Sequence, residues 1–240
     1  MINMQERMTA VLEQISTPLV WVTDLDRTVY RENMAVVVTH FIGEKRKREL
    51  DLLFQRGLLT NEEFLRECVE RMFRRASPEA IAECCRQNAE LMPFYLEFYR
   101  GLASFGVTTL AVTNNIDALA RVVLQHLGLD IPVIGNGVQA GRFYPVHQDI
   151  ALDKGIPVRW LCDHGHVVVG FAGDSIGDLE GARATRALGS TVLTIGEGHP
   201  KLDQVTDYKV DSYEGLLPLI AGFVARAQRS ARLRVGRNVA

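Results

Sequence analysis

A chain of 240 residues with 47% hydrophobic side chains can bury one generous domain, or a core carrying a smaller insert, and is not globally disordered. Its formal net charge of −2 argues against a nucleic-acid footprint over the whole surface and points to small-molecule partners. The four cysteines, Cys68, Cys84, Cys85 and Cys162, suggest no disulfide framework, and no segment reaches the ~18 apolar residues of a membrane span, so a cytoplasmic location is expected.

In chain order, the spacing of Met4, Met8, Val11, Leu12 and Ile15 predicts an amphipathic helix over Asn3–Ile15 that packs on the core. The β-branched run from Pro18 predicts a buried strand that stops at Asp24-Leu-Asp26-Arg-Thr28. Two carboxylates one residue apart repel each other, so this strand end needs a metal, an acid/base role, or both. Beyond Tyr30, helical periodicity without strand signal runs to about Arg100 and predicts a small helical domain. Thr60-Asn-Glu-Glu63 looks like a capping box, and Ser77-Pro78 like a helix start. Lys45-Arg-Lys-Arg48 is flanked by Glu44, Glu49 and Asp51 and reads as a solvated helix face with internal ion pairs.

From Val107 the period returns to strand and helix in alternation. Predicted strands are Val107–Thr113 (ending in Thr113-Asn114-Asn115), Ile131–Ile134, Val167–Ala172 (ending in Gly173-Asp174-Ser-Ile-Gly-Asp178) and Thr191–Ile195. Helices are expected over Asp117–Leu127, Pro157–Cys162 and Leu179–Leu188, with a glycine-turn hairpin over Gln139–Tyr144. His164-Gly-His166 and Gly196-Glu-Gly198 read as turns rather than as metal or phosphate sites. A last helix is expected from Glu214 to about Arg229, followed by a flexible basic end bearing Arg232, Arg234 and Arg237. The whole reads as a doubly wound, Rossmann-like α/β core with a parallel sheet. Residues 1–31 and 101–225 are assigned to the core, 32–100 to a small helical cap inserted after the first strand, and 226–240 to the tail.

In such a sheet ligands bind beyond the carboxyl ends of the strands. There Asp24 with Asp26, Thr113 with Asn114, and Asp174 with Asp178 would converge, joined by Lys154 from a loop. Like charges at ~4 Å cost about 4 kcal/mol per pair at an effective dielectric of 20, so the cluster implies a hard divalent cation, and Mg²⁺ suits a site that also takes a phosphate.

These four segments, in this order, resemble the motifs of the haloacid dehalogenase-like hydrolase superfamily, and the helical insert is similar to its C1-type cap. The resemblance implies an Mg²⁺-dependent phosphatase acting on a small phosphorylated metabolite, with no nucleic-acid or membrane partner. It implies Asp24 as nucleophile, Asp26 as acid/base, and Thr113 and Lys154 as phosphoryl-binding groups. The metal would take the Asp24 and Asp174 carboxylates and the Asp26 carbonyl, with Asp178 direct or through water. Thr28, Glu32, Phe64, Arg71 and Asn114 would serve the substrate. Phosphoserine phosphatase-like members usually carry a substrate-binding glutamate nine residues after the nucleophile; here Asn33 is ninth and Glu32 eighth. Arg27 stands where the family often has glycine. A phosphotransferase or phosphomutase would use the same residues, whereas a dehalogenase would lack Asp26.

Overall fold

The computed structural model describes residues 4–144 and 153–238. Among them, strands β1 (Leu19–Thr23), β2 (Val107–Ile116), β3 (Val133–Gln139), β4 (Arg142–Tyr144), β5 (Val167–Gly173), β6 (Thr191–Ile195) and β7 (Tyr208–Val210) form one sheet in the order β4-β3-β2-β1-β5-β6-β7. All neighbours are parallel except β3 and β4, which form the expected hairpin around Ala140 and Gly141, both in the left-handed region.

The chain moves outward from β1 first through β2 and β3, then on the other side through β5, β6 and β7. Order therefore reverses at β1, and the carboxyl ends of β1, β2 and β5 open side by side. β1 is buried on both faces, which is why it reads as a continuous apolar run. Its alternation serves two cores: Leu19 and Trp21 face one, Val20 and Val22 the other. Trp21 packs edge-on to Phe98 and stacks on Phe223, and fits because a side chain at Gly170 would collide with its ring.

The second core receives α1 (Met4–Glu13) through Met8, Val11 and Leu12. Between β1 and β2 lie α2 (Met34–Ile42), α3 (Glu44–Gln55), α4 (Asn61–Arg75), α5 (Pro78–Gln87) and α6 (Tyr95–Ser104). α4 begins at the Thr60/Glu63 capping box and buries Cys68, Val69 and Met72, while Ser77 caps α5. The basic run on α3 pairs internally: Arg46 with Glu49, Lys47 with Asp51 and Arg48 with Glu44. α6 packs on β2, so the chain is back against the sheet from Tyr95. Two linkers join helices to sheet side by side, with Arg31 N–H bonded to Glu90 O and Met92 N–H to Val29 O.

The remaining helices are α7 (Asp117–His126), α8 (Gly155–Asp163), α9 (Leu179–Ala187), the short α10 (Pro200–Asp203) and α11 (Ile220–Asn238). β2 runs on to Ile116 and β3 to Gln139, further than their apolar runs suggested, and β7 and α10 lie outside the predicted elements. The last helix begins at Ile220, after a 3₁₀ turn over Leu217–Leu219, rather than at Glu214. From there α11 carries the chain as helix to Asn238, through the residues assigned to the basic end. Arginine is a good helix former, and Arg226 anchors this helix by donating to Gly189 O (2.9 Å) and pairing with Asp207 (3.1 Å).

Candidate active site

Asp24 is the first residue past β1, and its N–H still bonds Ala172 O of β5 at 2.8 Å. The chain then turns sharply: the N–H groups of Thr28, Val29 and Tyr30 all return to Leu25 O. Arg27 takes φ 59° to allow it, which explains why glycine suits this place. The buried Thr28 Oγ1 has no hydrogen-bond partner among the described residues.

Across the crevice, Lys154 precedes α8 and is 2% exposed. Its Nζ lies 2.5 Å from Asp24 Oδ1 and 2.6 Å from Asp178 Oδ1. Asp178 is fully buried, and its other oxygen accepts the N–H of Asp174 (3.0 Å) and the N–H and hydroxyl of Ser175 (2.8 and 2.9 Å). A side chain at Gly173 would strike the Asp178 carboxylate, so the end of β5 must be glycine. Arg27 Nη2 reaches Asp174 Oδ2 at 2.9 Å.

Asp24, Asp174 and Asp178 each place one carboxylate oxygen within 4.8 Å of the others, an all-oxygen donor set of the kind a hard divalent cation takes. Electrostatics agrees, because burial pushes Asp24 up to about 8, Asp178 and Asp174 adding to it against the pull of Lys154. Burial and Asp178 likewise push Asp174 up to about 6. Lys154, which burial alone would drive down, is held up by Asp178 and Asp24. The cluster thus has a surplus of negative charge that a proton or a cation relieves.

Asp26 turns away from this cluster. Its Oδ1 accepts the N–H groups of Asn33 (2.8 Å) and Met34 (3.0 Å) at the start of α2, and its Oδ2 accepts the side-chain amide of Asn115 (3.1 Å). Burial raises its pKa, against these donors. Asn115 was not among the residues singled out from the sequence. Period-two alternation along β2 supplies the signal: Thr113 and Asn115, two apart, are both buried, and Asn115 N–H bonds Thr113 Oγ1 at 3.1 Å. Asn114 lies between them; its carbonyl accepts from Asn136, and a side chain at Gly177 would come within 3.2 Å of its amide.

The structure thus brings together Asp24, Lys154, Asp174 and Asp178, with Asp26 beside them on the same turn. Glu32, Phe64 and Arg71 stand apart, in contacts of their own. Phe64 stacks on Phe54 with the Lys47 ammonium over its ring, and Arg71 binds Glu67 at 2.6 Å. Glu32 is exposed and lines an open groove of about 630 Å³ with Thr39, His40, Lys47 and Arg48. His164 and His166 bond the carbonyls of Trp160 and Thr17, as turn residues do.

The family model of haloacid dehalogenase-like hydrolases matches residues 21–183, a span that includes every residue of this crevice. The chain belongs to that family. Its fold is similar to a phospho-aspartyl intermediate analogue of phosphoserine phosphatase (TM-score 0.64, 16% identity, 84% of this chain and 98% of that one). It is also similar to a substrate-bound phosphoserine phosphatase complex (TM-score 0.64, 16% identity, 85% and 99%). A third similar structure is a probable phosphoserine phosphatase from Vibrio cholerae in unliganded form (TM-score 0.65, 18% identity, 90% and 66%). A search of curated proteins returned no match.

Proposed function

We propose that this protein is a Mg²⁺-dependent phosphatase that hydrolyses a small phosphomonoester through an aspartyl-phosphate. The observation that carries this reading is the Asp24 carboxylate at the end of β1, paired with a buried ammonium, with Asp26 two residues on. An Asp24 oxygen would form a bond to phosphorus as the bond to the leaving oxygen breaks, splitting one difficult displacement into two easier ones. Asp26, raised by burial, would hold a proton for the leaving oxygen and later take one from the attacking water, which frees the Asp24 carboxylate. Lys154 and the Thr113 hydroxyl would steady the phosphoryl oxygens, with the unpartnered Thr28 Oγ1 a further hydroxyl on the same loop. Asp24, Asp174 and Asp178 would hold the cation, together with the Asp26 carbonyl. When bound, it would supply positive charge that offsets the carboxylates and the charge developing on the phosphoryl group. Asn114, Glu32, Phe64 and Arg71 would meet the rest of the substrate as the cap closes over it.

The test is turnover of an aryl phosphate and a panel of phosphorylated metabolites, with Mg²⁺ and with excess chelator, by wild type and Asp24→Asn. Wild type should need the cation, the variant should be folded and inactive, and beryllium fluoride should bind only the wild type. Substantial turnover by a clean Asp24→Asn preparation would end the proposal.

A further inference from the structure

We infer that Arg27 is a built-in counter-ion of the metal site, competing with the divalent cation for Asp174 and so setting how tightly that cation binds. This rests on the reading that Asp24, Asp174 and Asp178 hold the cation. Two observations carry it. Arg27 occupies the left-handed region at φ 59°, a conformation that costs an arginine more than a glycine or asparagine. From there its guanidinium reaches Asp174 Oδ2 at 2.9 Å.

The division of cations is clear in the geometry. Lys154 serves Asp24 and Asp178 from inside the protein, while Arg27 serves Asp174 from the solvent side. The Arg27 side chain is 57% exposed, against 9% for Asp174, so it can swing out when another cation arrives. A divalent ion must therefore share Asp174 with a positive group or displace it, and either lowers its affinity. Because Arg27 is exposed, its influence is screened by salt far more than that of the buried Lys154.

The experiment titrates Mn²⁺ into the substrate-free full chain, reading free ion by electron paramagnetic resonance. Wild type, Arg27→Asn, Arg27→Lys and Asp174→Asn are compared at low salt and at about 0.5 M, where the Debye length falls to a few ångströms. Asparagine tolerates the left-handed backbone, so Arg27→Asn removes the charge without straining the turn. It should bind Mn²⁺ at least threefold more tightly at low salt, with the gap closing at high salt, and Arg27→Lys should stay within twofold of wild type. Affinity that is unchanged or weaker in Arg27→Asn overturns the inference, a weaker one marking Arg27 as an aid to the ligand instead. If Asp174→Asn abolishes binding while Arg27→Asn leaves it unchanged, only the role of Arg27 falls. If no variant binds the ion, the metal reading falls, and this inference with it.

Discussion

Asn115 donates its side-chain amide to Asp26 Oδ2 at 3.1 Å, joining the end of β2 to the loop that follows β1. The same carboxylate accepts two backbone N–H groups from the start of α2, so all three donors favour its ionised form while burial opposes them. Removing one donor should let burial gain. In Asn115→Ala the pH-rate limb that reports Asp26 should therefore move to higher pH. The loss in kcat/KM should be at least tenfold for an alkyl phosphate, whose leaving group needs a proton, and much smaller for an aryl phosphate. Equal losses on both substrates, with an unmoved pH profile, would show that Asn115 only supports the fold.

A second prediction concerns pH and the metal-free protein. Asp24 and Asp174 are pushed up to about 8 and about 6 in the folded state, above the ordinary 3.8 they regain on unfolding. A folded state that binds protons more tightly than the unfolded one gains stability as pH falls through the folded values, until the unfolded chain protonates too. Lys154 is raised from a value far above this window and contributes nothing to the slope. In excess chelator the Tm should thus be higher near pH 5.5 than near pH 8.5, and saturating Mg²⁺ should raise the pH 8.5 value most. A chelated protein that gains stability with rising pH over this range would contradict the surplus of negative charge.

Asp174 and Asp178 should separate into different losses. Asp178 is fully buried and accepts four hydrogen bonds, one from Lys154. Asp178→Ala leaves that ammonium half-paired, which should cost about 3–5 kcal/mol in denaturant unfolding. Asp174→Ala removes a largely buried carboxylate whose exposed partner Arg27 can return to water, so stability should change little while metal affinity collapses. The opposite pattern, with Asp174→Ala the more destabilised, would mean that the roles of the two residues are reversed.

Much of this was legible in the sequence because it rests on local rules. β6 appears at the residues its apolar run marks, the Thr60/Glu63 box caps α4, and the carboxylates at the ends of β1 and β5 meet because a reversing sheet opens there. What stayed hidden depends on contacts far apart in sequence. β7 is three residues long and owes its strand geometry to pairing with β6. Arg226 reads as tail until the Gly189 carbonyl and Asp207 are beside it. Arg27 looks like a neutral replacement for glycine until the turn aims it at Asp174. Asn115 was overlooked because β2 was expected to stop at Thr113, whereas the strand continues and returns every second side chain to the same face.

The last prediction rests on Asn33, which stands where phosphoserine phosphatase-like members usually place a substrate-binding glutamate. Asn33 is fully buried, its amide donates to Cys85 O at 2.9 Å and its N–H to Asp26, so it is part of the packing between α2 and α5. No carboxylate is present at this place to meet a substrate ammonium, and Glu32, one residue earlier, is exposed in the groove between α2 and α3. Phosphoserine should therefore run at least tenfold below the best phosphomonoester in kcat/KM. Asn33→Glu should not rescue it, because the new carboxylate would be buried against the Cys85 carbonyl and close to Asp26, and the protein should lose stability instead. Steady-state kinetics on both substrates, paired with thermal unfolding of the variant, checks each half. Phosphoserine as the best wild-type substrate, or a stable Asn33→Glu protein that gains activity on it, would show that this position serves the substrate after all.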